Sequence, residues 1–265
     1  MPALEGLHWT FDTVASAYEK LRPGYVKELY ETIYRYIPID AHSNVVEVGS
    51  GGGQATAPIL KTGCRLTAVE YGAQFSELLK DKFREYPNFS VITGKFEETE
   101  LAHDAYDLIF SASAFHWIPE QAGYEKVYAM LKKGGAFARF ANHPYRNKEN
   151  PALAHEIDEL YATYYNTYYH KQREVLTEYT EEQAKARAEI AAKYGFTDIR
   201  YAMFYRKRCF TAKEYIQLLG TYSDHIAMEE SIRMQFFAKI EEAIDRHGGT
   251  MVIYDTLDLQ LARKP

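Results

Sequence analysis

Short apolar strands alternate with amphipathic helices through the first half of this 265-residue chain, which predicts an α/β fold on a mostly parallel sheet. Three observations carry that prediction. Val45-Val46-Glu47-Val48 is a buried-strand run stopped by glycines. Tyr106 to Ser111 is nearly all apolar, as suits a parallel strand covered on both faces. Thr250 to Leu261 alternates and closes the sequence as a strand expected to run antiparallel to the others. The expectation is a seven-stranded sheet with right-handed crossovers, helices on both faces and a helical lid.

The elements follow in order. After the first strand, 55–60 reads as a helix, and 66–69 as the second strand. A helix over 74–85 places Phe75, Leu78, Leu79 and Phe83 on one face, and Pro87-Asn88 stops it. Residues 89–93 form the third strand and 106–111 the fourth. A helix over 121–131 turns Val127, Met130 and Leu131 inward, and Gly134-Gly135 leads into a fifth strand at 136–140. Residues 142–151 read as a polar loop. A long helix then spaces Leu153, Ile157, Leu160 or Tyr161, Tyr164 or Tyr165, and Tyr168 helically, and a charged helix covers 181–193 with Gly195 at its C-terminal cap. A sixth strand is expected over 199–210. Thr211 with Glu214 forms a capping box for a helix over 212–219, and a last helix spans 229–246. These elements divide into a closing helix and cofactor-binding core (1–141), a lid insertion on the acceptor side (142–195), and the strands and helices that complete the sheet (196–265).

Composition narrows the function. Lys plus Arg is 31 against 37 Asp plus Glu, a net charge of −6, which argues against a nucleic-acid partner held by a general basic surface. No run of about 18 apolar residues offers a membrane span, and the N-terminus shows no basic-then-apolar leader. Two cysteines, Cys64 and Cys209, make neither a disulfide framework nor a cysteine-rich metal site, so a cytoplasmic location is expected, with both thiols packed as small hydrophobes. His155-Glu156 lacks the second histidine of a zinc helix, and no metal is expected. Tyrosine is in excess: 23 in all, with twelve between Tyr145 and Tyr222, where an even spread gives about seven.

The chemistry lies at the end of the first strand, in Glu47-Val48-Gly49-Ser50-Gly51-Gly52-Gly53. Glycines let the backbone approach a ligand closely, and the following helix start offers unpaired N–H groups. Glu70, ending the second strand, stands where an acid takes both hydroxyls of a ribose. The site fits a nucleoside-containing cofactor. A dinucleotide loop needs glycine at the sixth place of G-x-G-x-x-G; counted from Gly49 that place is Gln54, and from Gly51 it is Thr56. A carboxylate two residues before the first glycine repels a pyrophosphate but suits a cationic or amino-acid-bearing ligand.

The acid-x-G-x-G-x-G pattern with its second acid resembles the first motif of class I S-adenosylmethionine-dependent methyltransferases. Ala105-Tyr106-Asp107-Leu108-Ile109-Phe110-Ser111-Ala112-Ser113-Ala114-Phe115-His116-Trp117-Ile118 resembles the fourth-strand motif of their type 11 group, and Met130-Leu131-Lys132-Lys133-Gly134-Gly135 the element before the fifth strand. Phe11-Asp12 through Leu21-Arg22-Pro23-Gly24-Tyr25, and Thr221-Tyr222-Ser223, resemble elements of a subgroup near trans-aconitate methyltransferase. The likeness covers roughly residues 8 to 141, with scattered matches beyond. It implies a Rossmann-like sheet and S-adenosyl-L-methionine as cofactor. It puts Glu47, Gly49, Gly51 and Gly53 near the methionine portion, Glu70 on the ribose, Tyr71 and Phe96 near the adenine, Ser111 and Ala112 at the fourth-strand end of the site, and Tyr18 and Arg22 on an N-terminal helix closing over it. Lys95 departs from the family, standing where an acid commonly meets the adenine amino group.

The expected activity is methyl transfer to a small-molecule acceptor through an O-, C- or N-nucleophile, a carboxylate included. A tRNA or protein acceptor and a non-catalytic cofactor-binding module are the alternatives; Gln54 and Glu47 disfavour a nicotinamide enzyme. His116 is a candidate general base, weighed against a histidine that packs with Trp117 and only shapes the pocket. Asp107 reads as structural. The tyrosines read either as a lid covering the core or as the walls of an aromatic acceptor pocket.

Overall fold

The computed structural model describes residues 22, 24–146, 148–173 and 176–265; Tyr18 lies outside them. In chain order the elements are α1 (Lys27–Tyr36), β1 (Asn44–Val48), α2 (Thr56–Leu60), β2 (Arg65–Glu70), α3 (Ala73–Lys82), β3 (Phe89–Thr93), β4 (Tyr106–Ala112), α4 (Glu120–Met130), β5 (Leu131–Tyr145), α5 (Pro151–Leu160), α6 (Glu181–Glu189), β6 (Thr197–Thr211), α7 (Ala212–Leu219), α8 (Ser223–Ile226), α9 (Glu230–Arg246) and β7 (Thr250–Arg263). The strands form one sheet in the order β3-β2-β1-β4-β5-β7-β6. β1 to β5 pair in parallel, and β7 runs antiparallel to both neighbours, as the sequence predicts.

Strand alternation sorts the core. Val45, Leu108, Phe110, Ala138 and Phe140 point to one face, where α1 and α2 cover them with Leu29, Ile33, Ile59 and Leu60. Val46, Val48, Ile109 and Phe137 point to the other, against Tyr124, Val127 and Met130 of α4 and against Ala191 and Phe196. Asp107 sits at the opposite end of β4 from the glycine loop. Its carboxylate accepts from the Asn44 amide (2.8 Å) and from Lys132 Nζ (2.8 Å). It is structural.

Three departures have physical causes. β5 begins at Leu131, with Gly134-Gly135 absorbed in a register shift, and runs on to Tyr145. The expected polar loop at 142–151 is therefore strand in its first part. A long partner carries it, because β7 pairs with β5 from Ala136↔Arg263 to Tyr145↔Tyr254. The long helix expected after residue 151 is α5 followed by a wider π turn, Tyr161–Asn166. Cys209 lies exposed on the edge strand, while Cys64 is buried as expected.

A third apolar cluster forms the lid. Leu153, Ile157 and Tyr165 pack against Tyr215, Leu218 and Leu219 of α7, against Phe236, Ile240 and Ile244 of α9, and against Met251 and Ile253 of β7. The expected insertion at 142–195 is thereby shared out: α5 belongs to the lid together with 212–246, while Ala191 packs on the sheet. Among the described residues no helix is long and apolar enough to cross a membrane.

The lid's second half hangs on the capping box at the start of α7. Thr211 Oγ1 accepts from the Glu214 amide (3.3 Å), and Glu214 Oε2 accepts from the Thr211 amide (2.8 Å). Thr211→Ala is expected to lower stability by about 1 kcal/mol, read as a lower urea midpoint with an unchanged denaturant slope.

Candidate active site

The carboxyl ends of β1, β2 and β4 open into a cavity of about 460 Å3, roofed by the lid and by Arg22 and Tyr25. Such a position is where open α/β sheets bind ligands, and the volume lies in the range of small-molecule sites, about 300–1,000 Å3.

The glycine loop forms its floor. Gly49 has φ +72°, and a Cβ there would lie 2.4 Å from that of Ala114 after β4, so no larger residue fits. Gly53 has φ +75° and faces away, where a Cβ would meet Phe83 at 2.8 Å. Glu70, 7% exposed, anchors the loop: Oε2 accepts from the Gly51 amide (2.8 Å) and Oε1 from the Gly72 amide (2.9 Å). Behind the loop, Glu47 is fully buried. Thr56 Oγ1 donates to its Oε2 at 2.5 Å, while Oε1 has no hydrogen-bond partner among the described residues. Burial pushes this carboxyl up to about 8, against the pull of the Thr56 hydroxyl.

Beyond the loop, β4 is followed by Ser113, held at φ +54°, a strained position for a residue with a side chain. Its hydroxyl meets the Tyr25 hydroxyl at 2.8 Å. The short turn Phe115–Trp117 then sets His116 into the wall. Burial first, and then the nearby guanidiniums of Arg187 and Arg139, push His116 down to about 4. It is a neutral imidazole at pH 7. From the N-terminal side, the Arg22 guanidinium donates to Thr221 Oγ1 (3.0 Å) and to the Thr221 carbonyl (3.1 Å) and lies 4.1 Å from the Tyr222 ring centre. The lid contributes Tyr165, Tyr222 and Asp224. The Tyr165 hydroxyl donates to Asp224 Oδ2 (2.8 Å), and His225 donates from its amide to Asp224 Oδ1 (2.9 Å), with its Nδ1 2.8 Å from the same oxygen. Burial works to raise Asp224, but His225 and the Tyr165 hydroxyl outweigh it and hold the carboxyl well below the usual range.

A methyltransferase domain model matches residues 46–138, the span from β1 into β5. A methyltransferase-like protein of Schizosaccharomyces pombe is 25% identical over 238 residues, 88% of this chain and 85% of that one. Ribosomal RNA small subunit methyltransferase A of Hahella chejuensis is 32% identical over 115 residues, 39% of this chain and 42% of its own. The solved structure of phosphoethanolamine N-methyltransferase 2 of Haemonchus contortus, with phosphomonomethylethanolamine and S-adenosylhomocysteine, aligns with a TM-score of 0.56 at 15% identity, over 96% of this chain and 57% of that one. Residues 46–138 therefore carry a methyltransferase domain, and the chain as a whole is similar to methyltransferases.

The fold brings most of the expected residues to one cavity. Gly49, Gly51, Glu70, Tyr71, Phe96, Ala112, His116 and Arg22 line the cavity. Three expected residues stand behind its wall. Gly53 packs on α3, Ser111 is buried with its hydroxyl on the Val48 carbonyl (2.8 Å), and Glu47 reaches the loop only from beneath. Alternation along a buried strand explains Ser111, since its neighbour Ala112 faces the opening. The cavity also holds Arg208, Asn142 and Asp224, which sequence reading passed over. The signal for Arg208 was present, because Arg206 and Arg208 share one face of a strand.

Two measurements check these assignments. Glu47 has an ordinary value of 4.5 in the unfolded chain and about 8 in the fold, so unfolding releases a proton between those limits. The contribution of Glu47 to stability is therefore most favourable below about pH 4.5 and falls as pH rises to about 8, by about 1.4 kcal/mol per pH unit. Glu47→Gln is expected to remove that slope from urea midpoints of the ligand-free protein; an unchanged slope would show that Glu47 ionises normally. In imidazole NMR spectra, the resonance lost in His116→Gln is expected to stay fixed between about pH 6 and pH 8, and titration near the ordinary value of about 6.5 would restore His116 as a base.

Proposed function

We propose that the protein is a class I methyltransferase that transfers the methyl group of S-adenosylmethionine to a small-molecule acceptor held in the lid half of the cavity. The observation that carries this reading is the continuity of one cavity from the glycine loop and Glu70, past His116, to Tyr165, Tyr222 and Arg208. The residues fit the cofactor. Glu47 keeps a buried oxygen beneath the loop that has no partner among the described residues, and the loop is bare of side chains where Gly49 meets Ala114. In this reading Glu70 takes the ribose hydroxyls, Tyr71 and Phe96 flank the adenine, Gly49 and Gly51 receive the amino-acid end, and Glu47 supplies negative charge below it. Arg22, fastened to Thr221, closes the roof.

When bound, the cofactor supplies a methyl group already activated on a sulfonium sulfur. The protein's share is to align an acceptor lone pair with that carbon and to exclude water. His116, neutral and half-walled by Trp117, is a weak base at pH 7 and serves here to orient the acceptor by accepting a hydrogen bond. A cytoplasmic site of action is part of this reading, supported by two cysteines that are both free thiols. The rival reading is a ribosomal RNA acceptor, favoured by the function of the Hahella relative. The net charge of −6 weighs against it. Labelled cofactor offered total RNA beside a small-molecule extract separates the two: label in RNA overturns the small-molecule acceptor.

Glu70→Ala removes both the ribose acceptor and the tether of the glycine loop. Its affinity for S-adenosylhomocysteine by calorimetry is expected to fall by more than about tenfold, and an unchanged affinity would remove Glu70 from the site.

A further inference from the structure

Beyond the glycine loop the cavity wall holds a fixed cation and a fixed anion that do not pair with each other. The cation is Arg208, on β6. Its Nε donates to Asp255 Oδ2 (2.5 Å) and its Nη2 to Asp255 Oδ1 (2.8 Å). Arg206 donates to the same Oδ2 from Nη2 (2.9 Å) and Nε (3.1 Å). Two guanidiniums thus share one buried carboxylate, and a net positive charge is left at the cavity. Nη1 of Arg208 has no protein partner among the described residues. Beside it, Asn142 donates to Asp255 Oδ1 (3.1 Å), and its own Oδ1 is buried with no partner among the described residues.

The anion is Asp224, fastened by His225 and by the Tyr165 hydroxyl from the π turn. His225 is itself fixed, with Nε2 3.0 Å from the Tyr161 hydroxyl. Both charges are held by buried networks, so neither can swing away to suit a ligand, and low local polarity strengthens what they present. A ligand with two anionic ends would set one of them against Asp224. A diamine would set one ammonium against Arg208. Each mismatch combines like-charge repulsion with a desolvated, unmatched group.

We propose that the acceptor is dipolar: an anionic group, carboxylate or phosphate, taken by Arg208, and a hydroxyl or ammonium donor taken by Asp224. This rests on the methyl-transfer reading and adds the acceptor's charge pattern to it. Arg208 and Asp224 are its specificity-determining residues.

The test uses the full chain and calorimetry. S-adenosylhomocysteine is titrated first; failure to bind sinks the methyl-transfer reading itself. Protein saturated with S-adenosylhomocysteine is then titrated with four probe sets of matched chain lengths: ω-hydroxy and ω-amino carboxylates, phosphorylated amino alcohols, dicarboxylates and diamines. The tightest probe is expected in one of the first two sets, ahead of the best dicarboxylate and the best diamine by about tenfold or more. Which of those two sets leads tells carboxylate from phosphate. Arg208→Gln and Asp224→Asn are each expected to weaken the best probe by about tenfold, with retained S-adenosylhomocysteine affinity as the control for folding. The proposal is overturned if a dicarboxylate or diamine binds as tightly as the best dipolar probe, if no probe binds, or if both variants hold that probe as the parent does.

Discussion

One carboxylate bridges the two strand ends that make the site. Glu70 closes β2, and its two oxygens accept the amide of Gly51, in the loop after β1, and the amide of Gly72, in its own turn. The parallel register of β1 and β2, with Val48 beside Val69, brings these groups together. An amide in a glycine loop has no strand or helix partner, and burying it unpaired would cost about 1–3 kcal/mol. Glu70 removes that cost and leaves the loop open toward the cavity. The same close packing forces Gly49, which faces Ala114 across the floor. Loop shape, strand register and the acid at the end of β2 form one constraint, and the cavity exists because of it.

The acids around the site are each held differently, and the difference sets what each can do. Glu70 is satisfied by backbone amides. Asp255 is gripped by two arginines and Asn142. Asp258, fully buried, collects His143 Nε2 (3.0 Å), the Ala141 amide (3.1 Å) and Arg187 (3.3 Å). Asp224 leans on His225 and Tyr165. Glu47 alone among these lacks a cation or an amide donor, and it is also the one that burial pushes up to about 8. A buried charge persists only where partners repay its dehydration; without them the proton stays on.

The tyrosine excess follows from the lid's two duties. Its rings must fill a core, and its hydroxyls must end in partners once buried. Tyr161 meets His225, Tyr165 and Tyr169 reach Asp224, and Tyr168 reaches the Ala227 carbonyl. The rings of Tyr161 and Tyr164 lie against Phe236 of α9. Tyr165 and Tyr222 line the cavity as well. Most of the lid tyrosines therefore pack, and two of them face the cavity.

The sequence by itself determined the sheet, the glycine loop, Glu47 and Glu70, and the type of cofactor. These depend on local pattern: period-two burial, glycine where the backbone must come close, and acids at fixed offsets. It also marked the capping box of Thr211 and Glu214 and the left-handed Gly195 cap, since caps are written within a few residues. Only the tertiary structure decided how far β5 runs, because its length comes from the partner β7. Only it split the expected lid between α5 and 212–246 and turned Ser111 inward while Ala112 faces the opening. Arg208 and Asp224 became neighbours of one cavity only through folding. They are separated along the chain by α7, and no local rule records which buried network will hold a charge in place. Local rules fix backbone conformation, whereas a charge at a site is set by whatever long-range packing brings beside it.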